Sequence, residues 1–102
     1  MDMKKMMKQA QKMQRDAALA QEEIAAMTFE ASAGGGMVKA TATGDMTVTD
    51  IVIDPAAVDP EDVEMLQDMV VAAVNEALRS ASEAANSRMN AIMGGMKIPG
   101  LM

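Results

Sequence analysis

Basic side chains are concentrated at the beginning of the chain, where five of its nine lysines and arginines lie: Lys4, Lys5, Lys8, Lys12 and Arg15. Asp2 is the only acid among the first fifteen residues, so that this stretch has a formal charge of +4, whereas residues 16–102, with four bases and fourteen acids, carry −10. Such asymmetry within one chain indicates a polyanionic partner. Lysine is a flexible point charge that suits phosphate better than the edge of a base. The stretch therefore predicts electrostatic binding.

The chain has few of the residue types that enzymes use for catalysis. There is no cysteine and no histidine, which excludes disulfides, thiolate nucleophiles and the commonest zinc ligands, and removes the commonest general base. The acids at positions 59, 61, 62, 64 and 68 are more typical of a solvated helix start than of a metal site. The glycine run at 34–36 lacks the Lys-Ser/Thr that follows in a phosphate-binding loop. We predict no enzyme, catalytic residue, metal, cofactor or small-molecule substrate.

Length and composition set the class of fold. At 102 residues the chain is expected to form one domain, whose core must be built mainly from Met, Ala, Val, Ile and Leu, since there is one Phe and no Trp or Tyr. A small core rich in alanine buries little area, so we expect a second subunit to complete it. No apolar run reaches the roughly 18 residues needed to cross a bilayer, and the N-terminus lacks the apolar region of a signal peptide. A cytoplasmic protein is the expected class.

The element that must position the cations is a helix predicted over residues 3–27. At 100° per residue, one arc of this helix is apolar and holds Met3, Met6, Ala10, Met13, Ala17, Ala20 and Ile24. The opposite arc carries Lys4, Lys8, Lys12 and Arg15, with Lys5 at its edge. Acids other than Asp2 follow only from Asp16 onwards, an order that opposes the helix macrodipole. A pattern that opposes helix stability favours a binding role for the basic arc, with the apolar arc left for packing.

Three strands are predicted next, over residues 28–33, 37–43 and 46–53, because β-branched and alternating residues are interrupted there by glycine. Gly44-Asp45 predicts a two-residue turn of type II′ between the second and third strands. The third strand is not cleanly polar on either face. We therefore expect the sheet to be covered on both sides, by its own helices and by a second subunit.

A second helix is predicted over residues 60–93. Asp59 is a suitable N-cap, Pro60 suits the first helical position, and acids fill the first turn. Gly94-Gly95 should end the helix before a loose tail over 94–102. At about 1.5 Å per residue such a helix is roughly 50 Å long, so its far half must project beyond a three-stranded sheet. The first helix is also long enough to project.

Short segments along nearly the whole chain match a known pattern by their order and spacing. They are Met-Lys-Gln-Ala-Gln-Lys-Met-Gln at 7–14, Gly-Met-Val-Lys-Ala-Thr at 36–41, Val-Ile-Asp-Pro at 52–55, Glu-Met-Leu-Gln-Asp at 64–68, Ala-Ala-Val-Asn-Glu-Ala at 72–77 and Gly-Gly-Met-Lys-Ile-Pro-Gly at 94–100. No single segment is diagnostic. Together they resemble the YbaB/EbfC family of bacterial nucleoid-associated proteins.

The resemblance implies an α+β fold, in which α-β-β-β-α subunits with a three-stranded antiparallel sheet and two long helices pair as a tweezer-like homodimer. It also implies binding of double-stranded DNA in the cytoplasm, at the nucleoid, with loose sequence specificity and a role in nucleoid organisation or gene regulation. DNA contact in the family is attributed to the helical arms, which corresponds here to Lys4, Lys5, Lys8, Lys12, Arg15, Arg79 and Arg88. The second helix of several relatives looks more basic, so the prediction depends mainly on the first.

Two other classes of function remain open. One is a dimeric protein-interaction or scaffold module with an incidental basic helix face; against it, residues 4–15 contain no acid, whereas a solubilising face usually mixes signs. The other is a membrane-surface helix, but the apolar arc holds Met and Ala where such helices use Trp, Phe or Leu. Arg88, which falls inside the apolar stripe of the second helix, has an alternative role as an exposed arm residue or at a subunit seam.

Overall fold

A computed structural model of the protein describes residues 2–94. In chain order its elements are helix α1 (Met3–Ala26), strands β1 (Thr28–Ala33), β2 (Val38–Thr43) and β3 (Val48–Ile53), a 3-10 turn (Pro55–Ala57) and helix α2 (Val63–Gly94). The predicted α+β class, with α-β-β-β-α order and three antiparallel strands, is confirmed. Of the tail predicted over 94–102, Gly94 ends α2, and the rest lies outside the described residues.

The sheet has the strand order β1-β2-β3. Helix α2 packs against β1 and β2, whereas β3 contacts mainly β2. The alternation along β2 explains the arrangement, because Val38, Ala40 and Ala42 are buried under α2 while the residues between them face the other way. Ile53 and Ile51 lie opposite Val38 and Ala40, so they share the face that α2 covers. They lie at the edge that α2 leaves open.

The face of the sheet away from α2 is mostly polar. Register pairs Lys39 with Ser32 and Val52, and Thr41 with Glu30 and Asp50. Residues directly opposite on paired strands share a face, so only Val52 among these six is apolar. This face is therefore less apolar than the sequence indicated, and its cover by a second subunit stays a prediction. A bulge between Thr41 and Ala42 shifts the register of β3 and sets its two faces differently from strict alternation.

The core is built from small side chains. Val38, Ala40 and Ala42 of β2 meet Ala73 and Ala77 of α2, and all five are fully buried. Larger apolar residues pack around them and are only partly buried, among them Leu66, Met69, Val70, Val74 and Leu78. Because an alanine side chain buries little apolar area, this core provides modest hydrophobic stabilisation for its length.

The turn between β2 and β3 differs from the prediction. Four residues, 44–47, separate the strands. The Met46 N–H donates to the Thr43 carbonyl (3.0 Å), and Met46 itself lies in the left-handed region at φ 65°. Gly44 has no positive φ and serves a different purpose. A Cβ atom on Gly44 would collide with the backbone carbonyl of Ile24 at the end of α1. The glycine thus permits close approach of α1 to the sheet. The type II′ prediction is wrong, because that turn requires a positive φ at Gly44.

Helix α2 begins later than predicted. Its N-cap is Asp62, whose Oδ1 accepts a hydrogen bond from the Met65 N–H (3.3 Å). Asp59 instead accepts from the Glu61 N–H (2.9 Å) and closes a separate turn. Both aspartates offer the acceptor that a helix start requires. The Asp59-Pro60 pair therefore marked a turn before the helix.

The two helices run antiparallel beyond one end of the sheet. Arg88 of α2 contacts Glu23 of α1, and further along α2 Ile92 lines the same groove as Asp16 and Leu19, so the numbering falls on one helix as it rises on the other. The molecule measures 71 × 27 × 16 Å, and the arms account for its length. Within residues 2–94, neither helix has an apolar stretch of the length that a membrane crossing requires.

Candidate nucleic-acid interface

The basic stretch belongs to a capped helix. Asp2 precedes α1, and its Oδ1 accepts a hydrogen bond from the Lys4 N–H (3.0 Å) while its carbonyl accepts from the Met6 N–H (3.2 Å). These bonds satisfy amide groups that a helix start leaves without partners. The cations from Lys4 to Arg15 are therefore positioned by regular backbone.

Five predicted site residues lie together on α1, and all are exposed: Lys4, Lys5, Lys8, Lys12 and Arg15. Spacings of four, four and three residues align the main row along one side of the helix, over about 16 Å at 1.5 Å per residue. Among residues 2–94, the ion pairs of the structure involve none of these five cations. Even Lys12 and Asp16, one helical turn apart, form no ion pair. The row is a set of uncompensated positive charges.

The apolar arc of α1 is packed in only part of its length. Ala20 and Ile24 are buried against the rest of the protein, and Met13 and Ala17 are half-buried. Towards the N-terminus the same arc becomes exposed, with Met3 at 74% and Met6 at 52% of full exposure. Within one chain the first ten residues of this face are therefore unpacked, and their packing against a second subunit stays a prediction. Lys4, Lys5 and Lys8 lie on the part of α1 that extends past the packed region, and Lys12 and Arg15 lie beside Met13 at its margin.

Arg79 lies on the exposed side of α2, as predicted, but its charge is compensated. Its guanidinium donates to both carboxylate oxygens of Glu76 (Nη2–Oε1 2.5 Å, Nε–Oε2 3.1 Å) and approaches Glu83 (Nη1–Oε1 3.4 Å). The hydrogen bonds to Glu76 raise the pKa of Arg79, and the same bonds lower the pKa of Glu76. A phosphate reaching Arg79 has to compete with two carboxylates.

Arg88 lies at the seam between the two helices, where its Nη2 donates to Oε2 of Glu23. The two side chains remain 50% and 56% exposed. The pair stands beside a groove lined by Leu19, Ala20 and Ile92. The geometry gives Arg88 a contact that was not predicted, across a helix seam within one chain, and leaves its side chain half exposed.

The structure thus separates the seven predicted residues into two groups. The α1 cations form one open row, and the two α2 arginines are engaged by carboxylates. The acids Glu76 and Glu83 were detectable in the sequence, because they lie three and four residues from Arg79. Glu23 was not, since 65 residues separate it from Arg88. That DNA contacts any of the seven side chains stays a prediction.

Other candidate sites acquire structural roles. Among the described residues no group of three or more acidic side chains is arranged to hold a metal ion. Asp59 and Asp62 instead accept backbone hydrogen bonds at the turn and at the helix start. The glycine run, Gly34–Gly36, has positive φ at all three positions and connects β1 to β2. The run is therefore a backbone requirement of this hairpin.

Comparison with known proteins agrees with this geometry. A family model described as the YbaB/EbfC DNA-binding family matches residues 1–96. A nucleoid-associated protein of Moorella thermoacetica is 58% identical, over 97% of this chain and 95% of the relative. One of Pelotomaculum thermopropionicum is 54% identical, over 98% and 95%. These names describe association with the nucleoid, and the family is one of DNA-binding proteins rather than of enzymes.

The fold has a counterpart among solved structures as well. The crystal structure of an uncharacterized protein from Helicobacter pylori superposes with a TM-score of 0.73, covers 95% of this chain and 99% of its own, and shares 23% sequence identity. At this identity the likeness supports the fold alone. The family model and the relatives carry the assignment, because they span almost the entire sequence. The chain belongs to the YbaB/EbfC family of nucleoid-associated DNA-binding proteins.

Proposed function

We propose that this protein binds duplex DNA as a homodimer, through phosphate contacts made mainly by the basic row of α1. The observation that carries the proposal is the contrast between that uncompensated row and the anionic remainder of the chain. Negative charge elsewhere repels DNA, so contact is confined to the arms. Loose sequence specificity, organisation of the nucleoid, regulation of gene expression and a cytoplasmic location at the nucleoid belong to the same proposal.

Phosphate contact suits the composition of the row. Lysine contributes a point charge without the planar fork that reads a guanine edge, so four of the five side chains add affinity without sequence information. Base stacking has no platform, because the chain has no Trp or Tyr and its one Phe, Phe29, is half-buried on β1. Duplex DNA, which offers regularly spaced phosphates, is accordingly favoured over single strands.

The homodimer is supported by the exposed edge of the sheet. β3 pairs on one side only, and α2 leaves its inner face open. Ile51 and Ile53 on that face are 40% and 38% exposed, although they continue the buried surface of Val38 and Ala40. Edge strands with apolar side chains normally acquire cover. A second copy placed against β3 supplies that cover and leaves the arms projecting, which gives the predicted tweezer shape.

The proposal is tested by matched charge reversals measured by fluorescence anisotropy with a labelled duplex of about 20 base pairs. The double variant K4E/K8E removes two cations from the row, whereas K39E/R79E makes the same charge change on the sheet and on α2. We expect at least about tenfold weaker binding for the first variant and less than about threefold for the second. Equal losses from both variants would contradict the α1 site.

The dimer is tested separately by light scattering after size exclusion. The expected mass is twice that of the 10.8 kDa chain. The variant I51K/I53K should shift it to one chain, because two charges then occupy the open apolar face. Circular dichroism establishes whether this variant is folded. A folded wild-type protein that stays monomeric at all concentrations would overturn the dimer.

The scaffold alternative is favoured by one observation, the exposed Met3 and Met6 on the same arm as the cations. Methionine is common on surfaces that adapt to protein partners. A wild-type protein that fails to shift duplex DNA at 50 mM salt, while remaining a folded dimer, would support this alternative over DNA binding.

A further inference from the structure

A groove lined by methionines lies at the end of the sheet opposite to the arms. It has a volume of about 480 Å³ and lies between the glycine hairpin and the start of α2, with Met37, Met65 and Met69 on its walls. A Cβ atom at Gly34 would collide with Met69, so the hairpin lies directly against this wall. Met65 is 59% exposed although its side chain is large and apolar. The groove therefore offers flexible thioether side chains to solvent.

The same groove has an acidic rim. Asp59 and Asp62 line it, and a second hollow that shares Asp62, Met65 and Met69 adds Glu64 and Asp68. Among residues 2–94, the ion pairs of the structure include none of these four acids. An adaptable apolar floor with an uncompensated negative rim fits a cationic amphipathic helix whose own apolar side chains are flexible.

The chain itself contains a helix of this chemistry. The first turns of α1 present methionines at positions 3, 6 and 7 and lysines at 4, 5 and 8, all of them exposed. The lysines lie on the arc opposite to the methionines, so they reach the acidic rim only by extending their long side chains around the helix when the methionines enter the groove. Methionine is unbranched, so both surfaces can adjust their side chains on contact.

Within one chain this contact is impossible. The groove lies beside Gly34, at the end of the sheet where α2 begins, whereas α1 joins the sheet at its other end, where Ile24 meets Gly44. From there α1 runs away from the sheet alongside the far half of α2. Its N-terminus and the groove lie towards opposite ends of a molecule 71 Å long. The occupant must come from another molecule.

We propose that the N-terminal turns of α1 from one copy dock in the methionine groove of a second copy, outside the dimer formed through β3. Each copy then contributes its α1 N-terminus to one neighbour and binds the α1 N-terminus of another in its groove. Such a contact is head-to-tail, so it links molecules into open assemblies. The arm uses the same lysines in this contact and in the proposed DNA site. Self-association therefore competes with DNA, a consequence that rests on the proposed DNA site, whereas the self-association itself rests only on the proposed dimer.

The test is a charge-swap series followed by sedimentation velocity at 50 mM and 300 mM salt. The groove variant E64K/D68K changes two rim acids but leaves the helix cap at Asp62 intact, and the arm variant is K4E/K8E. We expect the wild-type protein to form species larger than a dimer at 50 mM salt, and both variants to lose them. The four substitutions combined in one chain should restore them, because opposite charges face each other again.

A DNA titration separates this proposal from the DNA site. The groove variant should bind the labelled duplex at least as tightly as the wild-type protein, and a saturating duplex should disperse the wild-type assemblies. Loss of DNA binding in K4E/K8E with unchanged assemblies would overturn the docking and leave the DNA site intact.

Three further outcomes would also overturn the docking. One is a wild-type protein that remains a dimer up to millimolar concentration at 50 mM salt. The second is a folded four-fold variant that fails to regain the large species. The third is assemblies that persist in E64K/D68K, which would point to another occupant of the groove or another surface.

Discussion

The positive charges on the two helices differ in whether a carboxylate is paired with them. On α1, the cations follow one another along one side and have no carboxylate partner among the described residues. On α2, Arg79 is held by Glu76 and Glu83, and Arg88 is held by Glu23 across the seam. Both sets of side chains are exposed, so burial does not distinguish them. Compensation does, and only an uncompensated cation can release counterions from DNA without first giving up a carboxylate.

The largest effect should come from neutralising one arm at a time. Replacing all five α1 cations with glutamine keeps the helix propensity and removes the row, and we expect binding to weaken by at least about a hundredfold at 100 mM salt. Replacing Arg79 and Arg88 with glutamine should cost less than about threefold, since these charges are already engaged. Fluorescence anisotropy with one duplex measures both. Comparable losses would show that the two arms are equivalent.

Salt dependence should distinguish the arms next. If a dimer engages all ten α1 cations, log Kobs should fall against log[salt] with a slope of about −9, and four or five contacts would give about −4. Each α1 lysine changed to glutamine should make the slope shallower by about 2, one unit per chain. The variant R79Q should leave the slope unchanged. A slope that responds to Arg79 as strongly as to Lys8 would contradict the distinction.

A smaller effect is expected when the Arg88 partner is removed. Glu23→Gln frees the guanidinium, and α2 then offers one uncompensated cation, so DNA affinity should rise by about two- to fivefold. Glu22→Gln is the matched control, because it removes the neighbouring acid, which takes part in none of the ion pairs of residues 2–94. Equal gains in the two variants would mean that net charge alone is responsible and that Arg88 makes no contact when free.

The smallest effect concerns pH. Because Arg79 lowers the pKa of Glu76 below its ordinary value of 4.5, the pair contributes stability that is present above the unfolded pKa and is lost as pH falls through the lower folded pKa. The wild-type protein should therefore melt slightly above E76Q at pH 6, and the difference should vanish at the acidic end of the titration. If the difference in melting temperature between the wild-type protein and E76Q stayed constant from pH 6 to the acidic end, ionisation of the Glu76 carboxylate would not be its cause.

Much of the fold could be predicted because local signals agreed with one another. The period of α1, the alternation of β1 and β2 and the glycine run each specify one element, and the predicted order is the observed one. The α2 start was misplaced because two nearby aspartates both offer a cap, whereas the turn type was wrong because a residue contacts a distant neighbour. Gly44 has its conformation and its identity set by the end of α1, and no pattern near Gly44 reveals that contact.

The candidate site was predictable to a similar extent and for similar reasons. The α1 row is a matter of spacing on one helix, so the sequence contains it completely. Compensation of Arg79 was also local and could have been inferred from Glu76 and Glu83. Compensation of Arg88 depends on how the two helices pass each other, because its partner Glu23 is 65 residues away in the sequence. Whether Arg88 on α2 is free to bind a partner therefore depends on the tertiary structure.

Gly44 has a mechanical consequence at a distance. It touches α1 at Ile24, near the anchored end of a helix of 24 residues, about 36 Å long at 1.5 Å per residue. A side chain there would press on the Ile24 carbonyl and tilt the whole helix about that point. A tilt of about 10° moves the far tip by about 6 Å, nearly two steps of the roughly 3.4 Å rise along a DNA strand. The absence of a side chain at Gly44 thus fixes the direction of α1, and under the proposed function it sets which phosphates the lysines would reach.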